Sequence, residues 1–388
     1  MIFFHLKKSL FFVFFLFFFV NSGWAEIQNS LSSHSIKVGL RTDVSEVYVR
    51  QKGTVYWVQA AGENIRITHN GKSSLKKDFL FTEASDLSVS ATKKFSNNYP
   101  GSVFIFSRNK SLFVINRTDI ESYLQGVVPY EIGSLDSSRF EALKVQAVAA
   151  RTYAYRHLDS RKSLGFDVYA DTRDQVYKGI PNKTSLVSRA IQETEGEIIL
   201  YENEPIEAYY HSTCGGKTAS LSVWKRENLP YLREVEDLNQ GVPFCQESSY
   251  SSWKVSFAKD KLPELIRNNL KAANVKNVKP FQKIRNFIIE DTLSCGRILI
   301  LSVLTDNGSF KVYGDKVRFL FKENGKILPS SRFSLKRSGA NWILEGSGFG
   351  HGIGMCQMGA RARAAAGQNY REILLHYYPN TNIGKFHE

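Results

Sequence analysis

Glu131, Lys144 and Arg151 are the first residues in the chain whose types and spacing could do chemistry. Glu131 lies in the run Leu124-Gln125-Gly126-Val127-Val128-Pro129-Tyr130-Glu131-Ile132-Gly133, which reads as an apolar strand followed by a helix N-terminus and would set Glu131 in a cleft floor beside Lys144 or Arg151. An apolar pocket would raise its pKa toward that of a general acid, and neighbouring cations would oppose the rise. Lys144 and Arg151 share a stripe with Val148 and Tyr155 at i+3 and i+4 steps, so each either snorkels to solvent or meets an anion. Further on, His211-Ser212-Thr213-Cys214-Gly215-Gly216 sets polar groups before a glycine turn, and His351 stands inside an alternating run from Gly346 to Gly354. His211 and Cys214 have no second His/Cys pair close in sequence, which argues against a closed zinc site. The dinucleotide, P-loop, nucleophile-elbow and zincin patterns are all absent from the sequence.

The elements that must position these groups follow from period and punctuation. Residues 138 to 158, SRFEALKVQAVAARTYAYRHL, predict the principal helix, with Ser138 and Glu141 as a capping box. Ile36 to Leu40, Val44 to Val49, Thr54 to Val58, Asn64 to Thr68 and Val103 to Phe106 read as short strands between turns. After one short helix near Leu262 to Leu270, β alternation returns, including Ile298 to Leu304 and Val317 to Phe321. The glycine run predicts an extended strand that another backbone or a flat ligand can approach closely. Asn369 and Glu372 cap a last helix that ends before Pro379. The expected fold is α+β: mixed β structure around one principal helix, a β-rich N-terminal lobe (26–110), and a main region (111–388) with a β-rich insertion at about 254–345.

Composition sets the compartment and the partners. The chain has 388 residues, is 43% hydrophobic, and carries a formal charge of +14. Lys7 and Lys8 precede an apolar stretch from Leu10 to Val20 and then Gly23-Trp24-Ala25, the plan of a secretory signal peptide cleaved after Ala25. The stretch covers only about half of a ~30 Å hydrocarbon core, so no membrane span is expected after its removal. The exported chain keeps a charge of +12, because the first 25 residues hold two lysines and no acid. Export to the periplasm or cell envelope makes nucleic acid an unsuitable partner and leaves acidic wall polymers or membrane surface. Cys214, Cys245, Cys295 and Cys356 all lie in the exported part, and their three possible pairings are not resolved by spacing.

Several ordered blocks resemble the SpoIID/LytB family of sporulation and amidase-enhancer proteins. They are Leu124 to Glu131, Glu141 to Ala154, Gln175-Val176-Tyr177, His211 to Thr218, Tyr313 to Arg318, Leu328 to Phe333, and Gly348 to Ala360. Together they cover most of residues 100 to 384. The resemblance implies a peptidoglycan lytic transglycosylase that cuts between N-acetylmuramic acid and N-acetylglucosamine on strands whose stem peptides are removed. Glu131 would protonate the glycosidic oxygen and then take the muramyl 6-hydroxyl proton, closing a 1,6-anhydro ring. No paired acid is then required.

By the same resemblance, Lys144, Gln146, Arg151, Gln175, Tyr177, His211, Ser212, His351 and Gln357 would bind substrate in the groove. The enhancer branch implies an alternative, a non-catalytic wall-binding partner of an amidase. Some relatives carry Cys and His, associated with zinc, before Gln-Val-Tyr. Here Tyr169, Arg173 and Asp174 stand there, so no metal and no cofactor are expected. The resemblance also implies a Cys214–Cys245 disulfide. Between Glu131 and Lys144 the chain is about two residues longer than the sporulation members.

Overall fold

The computed structural model describes residues 35–181 and 185–385. The expected signal segment lies outside these. Two five-stranded sheets open the fold. The first runs Val168–Tyr169, Ser35–Val44, Ser111–Asp119, Ser102–Arg108, Asp78–Phe81, and the second runs Lys72–Lys76, Asn64–His69, Thr54–Ala61, Glu46–Gln51, Ser88–Ser90. Alternating apolar residues explain their pairing. Val47, Val49, Val58, Ile65 and Ile67 of the second sheet share a core with Phe81, Val103, Ile105, Leu112 and Val114 of the first.

The first sheet crosses residue 110, because Ile36 pairs with Thr118 and Val38 with Asn116, and Val38 also pairs in parallel with Val168. Ile36 and Val38 pack into the helical core, so this sheet joins the N-terminal strands to the rest of the chain.

That helical core is built around the helix Phe140–Arg156, α3. Helix α1 (Ile120–Gln125) is capped by Asp119, whose Oδ1 accepts from Ser122 N–H at 2.8 Å. The one-turn helix α2 (Val128–Glu131) follows, with Pro129 in its first turn, where a missing N–H costs nothing. Glu131 therefore ends a helical turn rather than following a strand.

Helix α3 (Phe140–Arg156) is buried at nearly every position from Ala142 to Ala154. Its alanines let α1, α2, α4 (Ser185–Glu193) and the strand Glu197–Tyr201 come close. The expected capping box does not form. Residues Ser137–Arg139 make a 3-10 turn, Asp136 accepts from Ser138 N–H, and Glu141 instead accepts from Tyr370 N–H at 2.8 Å.

The segment from Trp253 to Gly346 closes on its own core. Trp253–Ala258 pairs with Asn341–Gly346, which also pairs with Phe333–Ser338, and a meander of Ile284–Thr292, Ile298–Thr305 and Gly308–Tyr313 packs against α5 (Leu262–Asn269). Val317 to Phe321 is not a strand. After Gly314, at φ +53°, the chain forms a 3-10 turn and then α6 (Val317–Leu320), held where Arg318 meets Asp315 and the Leu328 carbonyl. Helix α7 (Gln357–Ala365) follows the glycine run. Helix α8 (Tyr370–Tyr377) begins with the Asn369/Glu372 capping box and ends before Pro379.

Among the described residues, no helix is long and apolar enough to cross a membrane. The architecture is α+β, with several small sheets around a helical centre.

Candidate active site

Glu131 is placed by the end of α2, where Gly133, at φ +81°, turns the chain away. The irregular segment from Gln175 to Lys178 runs beside it. Lys178 N–H donates to the Gly126 carbonyl, and Val176 N–H donates to Glu131 Oε1 at 2.6 Å. The close approach depends on Gly126, since a Cβ there would sit 2.5 Å from the Tyr177 ring.

Gln357, at the start of α7, donates through Nε2 to the Glu131 carbonyl and to Gln146 Oε1 of α3, both at 3.1 Å. Gln175 accepts from Tyr123 Oη–H and donates to Tyr210 Oη, each at 3.0 Å. Because Tyr210 accepts there, its own proton is free to point at the Glu131 carboxyl.

Burial pushes the Glu131 carboxyl up to about 7, against hydrogen bonds from Val176 N–H, Gln357 and Tyr210 that pull it down. Among the described residues, no cation contributes to that balance. Burial also drives the Tyr210 hydroxyl well above its usual range, so it stays a proton donor. The arrangement holds one carboxyl group half protonated near neutral pH, with donors ready to receive the carboxylate. Proton transfer to a leaving oxygen is the chemistry that such a group can perform.

The strands Tyr210–His211 and Met355–Cys356 pair in parallel and carry the adjoining wall. His211 Nδ1 lies 3.2 Å from the Ile353 carbonyl, and His351 Nδ1 accepts from Ile353 N–H at 3.1 Å. The two rings are 5.6 Å apart, and Trp224 covers His351 at 4.9 Å. Burial lowers His351 to about 4 and holds His211 well below its ordinary value, so both are neutral. Ser212 Oγ is 3.2 Å from Thr213 Oγ1, and the Ser212 carbonyl accepts from Met358 N–H.

The glycine run is not an extended strand. Gly348, Gly350, Gly352 and Gly354 all have φ between +69° and +98°. A Cβ at Gly352 would lie 2.2 Å from Arg297 Nε, and one at Gly354 2.1 Å from the Tyr209 carbonyl. The glycines admit a buried guanidinium and another backbone.

Three expected groove residues belong to the scaffold. Arg151 is fully buried, makes two 2.7 Å bonds to Glu121, and donates to the Glu197 and Ile191 carbonyls. Lys144 Nζ sits 3.0 Å from Glu141 and 2.7 Å from Glu193. Each cation is committed to a carboxylate other than Glu131, because the stripe they share faces α1 and α4. Tyr177 is also buried, its hydroxyl donating to Asn116 Oδ1 at 2.7 Å.

The residues that reasoning from sequence missed are Tyr210, next to the polar run that drew attention, and the Val176 amide. Neither has a type or spacing signal of its own.

The expected Cys214–Cys245 pair does come together, but as unbonded thiols 3.6 Å apart, beside Cys356. Elsewhere, a cavity of about 800 Å³ is lined by Trp224, Lys225, Tyr313, Asp315 and Lys316, without Glu131.

A family model described as "Stage II sporulation protein" matches residues 108–201, which contain Glu131 and α3. A second, described as a domain of unknown function, matches residues 244–354. The chain is 31% identical over 297 residues to an uncharacterized protein of Brachyspira hyodysenteriae, spanning 74% of this chain and 72% of that one. It is 28% identical to the amidase enhancer of Bacillus subtilis, over 68% of this chain but only 40% of the enhancer. It is also 28% identical to stage II sporulation protein D of Bacillus amyloliquefaciens, over 70% of this chain and 76% of that protein.

Proposed function

The chain belongs to the SpoIID/LytB family, and from that premise we propose that it is an exported peptidoglycan lytic transglycosylase with Glu131 as its single acid and base. The observation that carries this reading is a carboxyl group raised to about 7 by burial, with no cation acting on it.

The protonated Glu131 gives its proton to the oxygen linking N-acetylmuramic acid to N-acetylglucosamine, and the C1–O bond breaks. Val176 N–H and Tyr210 are in position to steady the carboxylate that forms. That carboxylate takes the proton of the muramyl 6-hydroxyl while O6 bonds to C1. The anhydro ring closes, Glu131 regains its proton, and no water is consumed.

Gln146 and Gln175 act by positioning, since each is buried and bonded to a group that touches Glu131. His211, Ser212 and His351 form the neutral wall against which sugar hydroxyls would lie.

The test is digestion of amidase-treated peptidoglycan followed by mass spectrometry of the muropeptides. Anhydromuramyl products from wild type and none from Glu131→Gln support the reading. Equal release by both, or none by wild type, ends it.

A second reading, a non-catalytic wall-binding enhancer of an amidase, draws on the name of one relative and on the cavity at Trp224, Tyr313, Lys225 and Lys316, where rings and cations suit a glycan. It predicts amidase stimulation that survives Glu131→Gln and weakens with Trp224→Ala.

A further inference from the structure

Three of the four cysteines converge with one acid behind the Glu131 wall. Cys214 Sγ lies 3.6 Å from Cys245 Sγ and 3.3 Å from Asp237 Oδ2. Cys356 Sγ completes a set of four atoms that all lie within 4.8 Å of one another, and all four residues are buried. A zinc ion bound at about 2.3 Å to thiolate and about 2.0 Å to carboxylate in a tetrahedron sets its S···S edges at about 3.8 Å and its S···O edges at about 3.5 Å. The two separations given above are within a few tenths of an ångström of those edges.

The sulfurs are also surrounded as thiolates are. Cys214 N–H and Gly359 N–H point at Cys356 Sγ, at 3.2 and 3.3 Å. Gly215 N–H points at Cys245 Sγ at 3.3 Å, and Gly216 N–H at Cys214 Sγ at 3.2 Å. A neutral thiol is a weak acceptor, so four amides aimed at three sulfurs suit negative charge.

The acid is oriented to match. Asp237 Oδ1 accepts from Arg363 Nε at 3.0 Å and from Tyr377 Oη at 2.9 Å, which turns Oδ2 toward the sulfurs. Three thiolates and a carboxylate buried together need more positive charge than one guanidinium supplies.

We propose that Cys214, Asp237, Cys245 and Cys356 bind one zinc ion in a closed, structural site. The thiolate-rich, four-ligand set selects zinc over harder cations and leaves no open position for catalysis. Its ligands come from four separate segments, which is why no spacing in the sequence announces it. The site is distinct from the loop before Gln175, and Cys295 is outside it, its N–H donating to Glu234 at 2.8 Å. The ion would fasten Cys356, and with it Gln357 against Glu131, to the turn that follows His211. The proposal stands whether or not Glu131 cuts glycan.

The competing state is a Cys214–Cys245 disulfide, which would leave Cys356 alone. The full chain, exported and purified without chelator or reductant, separates the two by elemental analysis and by alkylation of thiols in denaturant. About one zinc per chain with no cross-link is expected, and replacement by cobalt should give thiolate-to-cobalt absorption with tetrahedral d–d bands.

Cys295→Ser should keep the metal, and Asp237→Ala should weaken it at least ~10-fold. Asp237→Cys should retain it with a stronger thiolate–cobalt band, a gain that loss of folding cannot mimic. A Cys214–Cys245 disulfide without metal, or free thiols that stay empty after incubation with zinc, would overturn the site.

Discussion

Glu121 and Glu131 sit on the consecutive helices α1 and α2, both packed on α3, and their surroundings differ in kind. Glu121 meets the fully buried Arg151 through two 2.7 Å bonds. Glu131 meets a backbone amide, a tyrosine and a glutamine, and no cation acts on it. A guanidinium bonded twice to a carboxylate makes a charge-assisted pair that fixes structure. Burial without a cation leaves Glu131 a proton that can be moved near neutral pH. The same residue type thus serves as a strut in one place and a proposed acid in the other.

The comparison breaks most visibly if Glu131 is neutralised. Glu131→Gln should lower glycan cleavage by ~10²–10⁴-fold, measured as anhydromuramyl release. Wild-type kcat/KM should fall as pH rises through about 7, where the acid form is lost.

Stability should move with pH as well. The folded pKa lies above the unfolded one, so the stabilisation is complete below about 4.5 and disappears as pH rises through about 7. Glu131→Gln should therefore be more stable than wild type above pH 7, by on the order of 1–3 kcal/mol, with the gap closing in acid, as read by Tm against pH.

Arg151→Met tests the opposite side of the comparison. It should destabilise the fold by about 1–3 kcal/mol in denaturant melts, because Glu121 and two carbonyls lose their donor, while kcat of the folded fraction changes less than about threefold. A loss of kcat with intact stability would return Arg151 to the groove.

Tyr210→Phe should cut kcat by roughly 3–10-fold and move the pH limb upward by up to about one unit, since a hydrogen bond that lowers the Glu131 pKa is removed. An unmoved limb would separate Tyr210 from the carboxyl. Lys144→Met should have the smallest effect, within about 1 kcal/mol of stability and no change in the pH profile, because its partners are partly exposed.

Much of the frame was legible from period and punctuation. The last helix was marked by Asn369 and Glu372, whose capping box forms as expected, and the N-terminal strands by their alternation. Glu131 was visible by its place in a motif, but its helical turn was not, because Val127-Val128 reads as β until Asp119 caps one helix and Pro129 starts the next.

The glycine run shows the limit of local reading. Alternation suggested extension, yet the neighbours that force a positive φ, Arg297 and the Tyr209 carbonyl, lie far away in sequence. The Lys144/Arg151 stripe was correctly placed on one helix. Which carboxylates it would meet depended on α1 and α4.

By itself the sequence determined the α+β class, the principal helix, the family blocks and the charge, because these are set by residues close along the chain. Only the tertiary structure decided that the half-buried Glu131 has a desolvated carboxyl without a cation, that Arg151 belongs to Glu121, and that Cys214, Asp237, Cys245 and Cys356 meet. The reason is physical. A proton's affinity and a ligand set depend on what lies within a few ångströms in space, and those neighbours arrive from segments that sequence separation keeps apart.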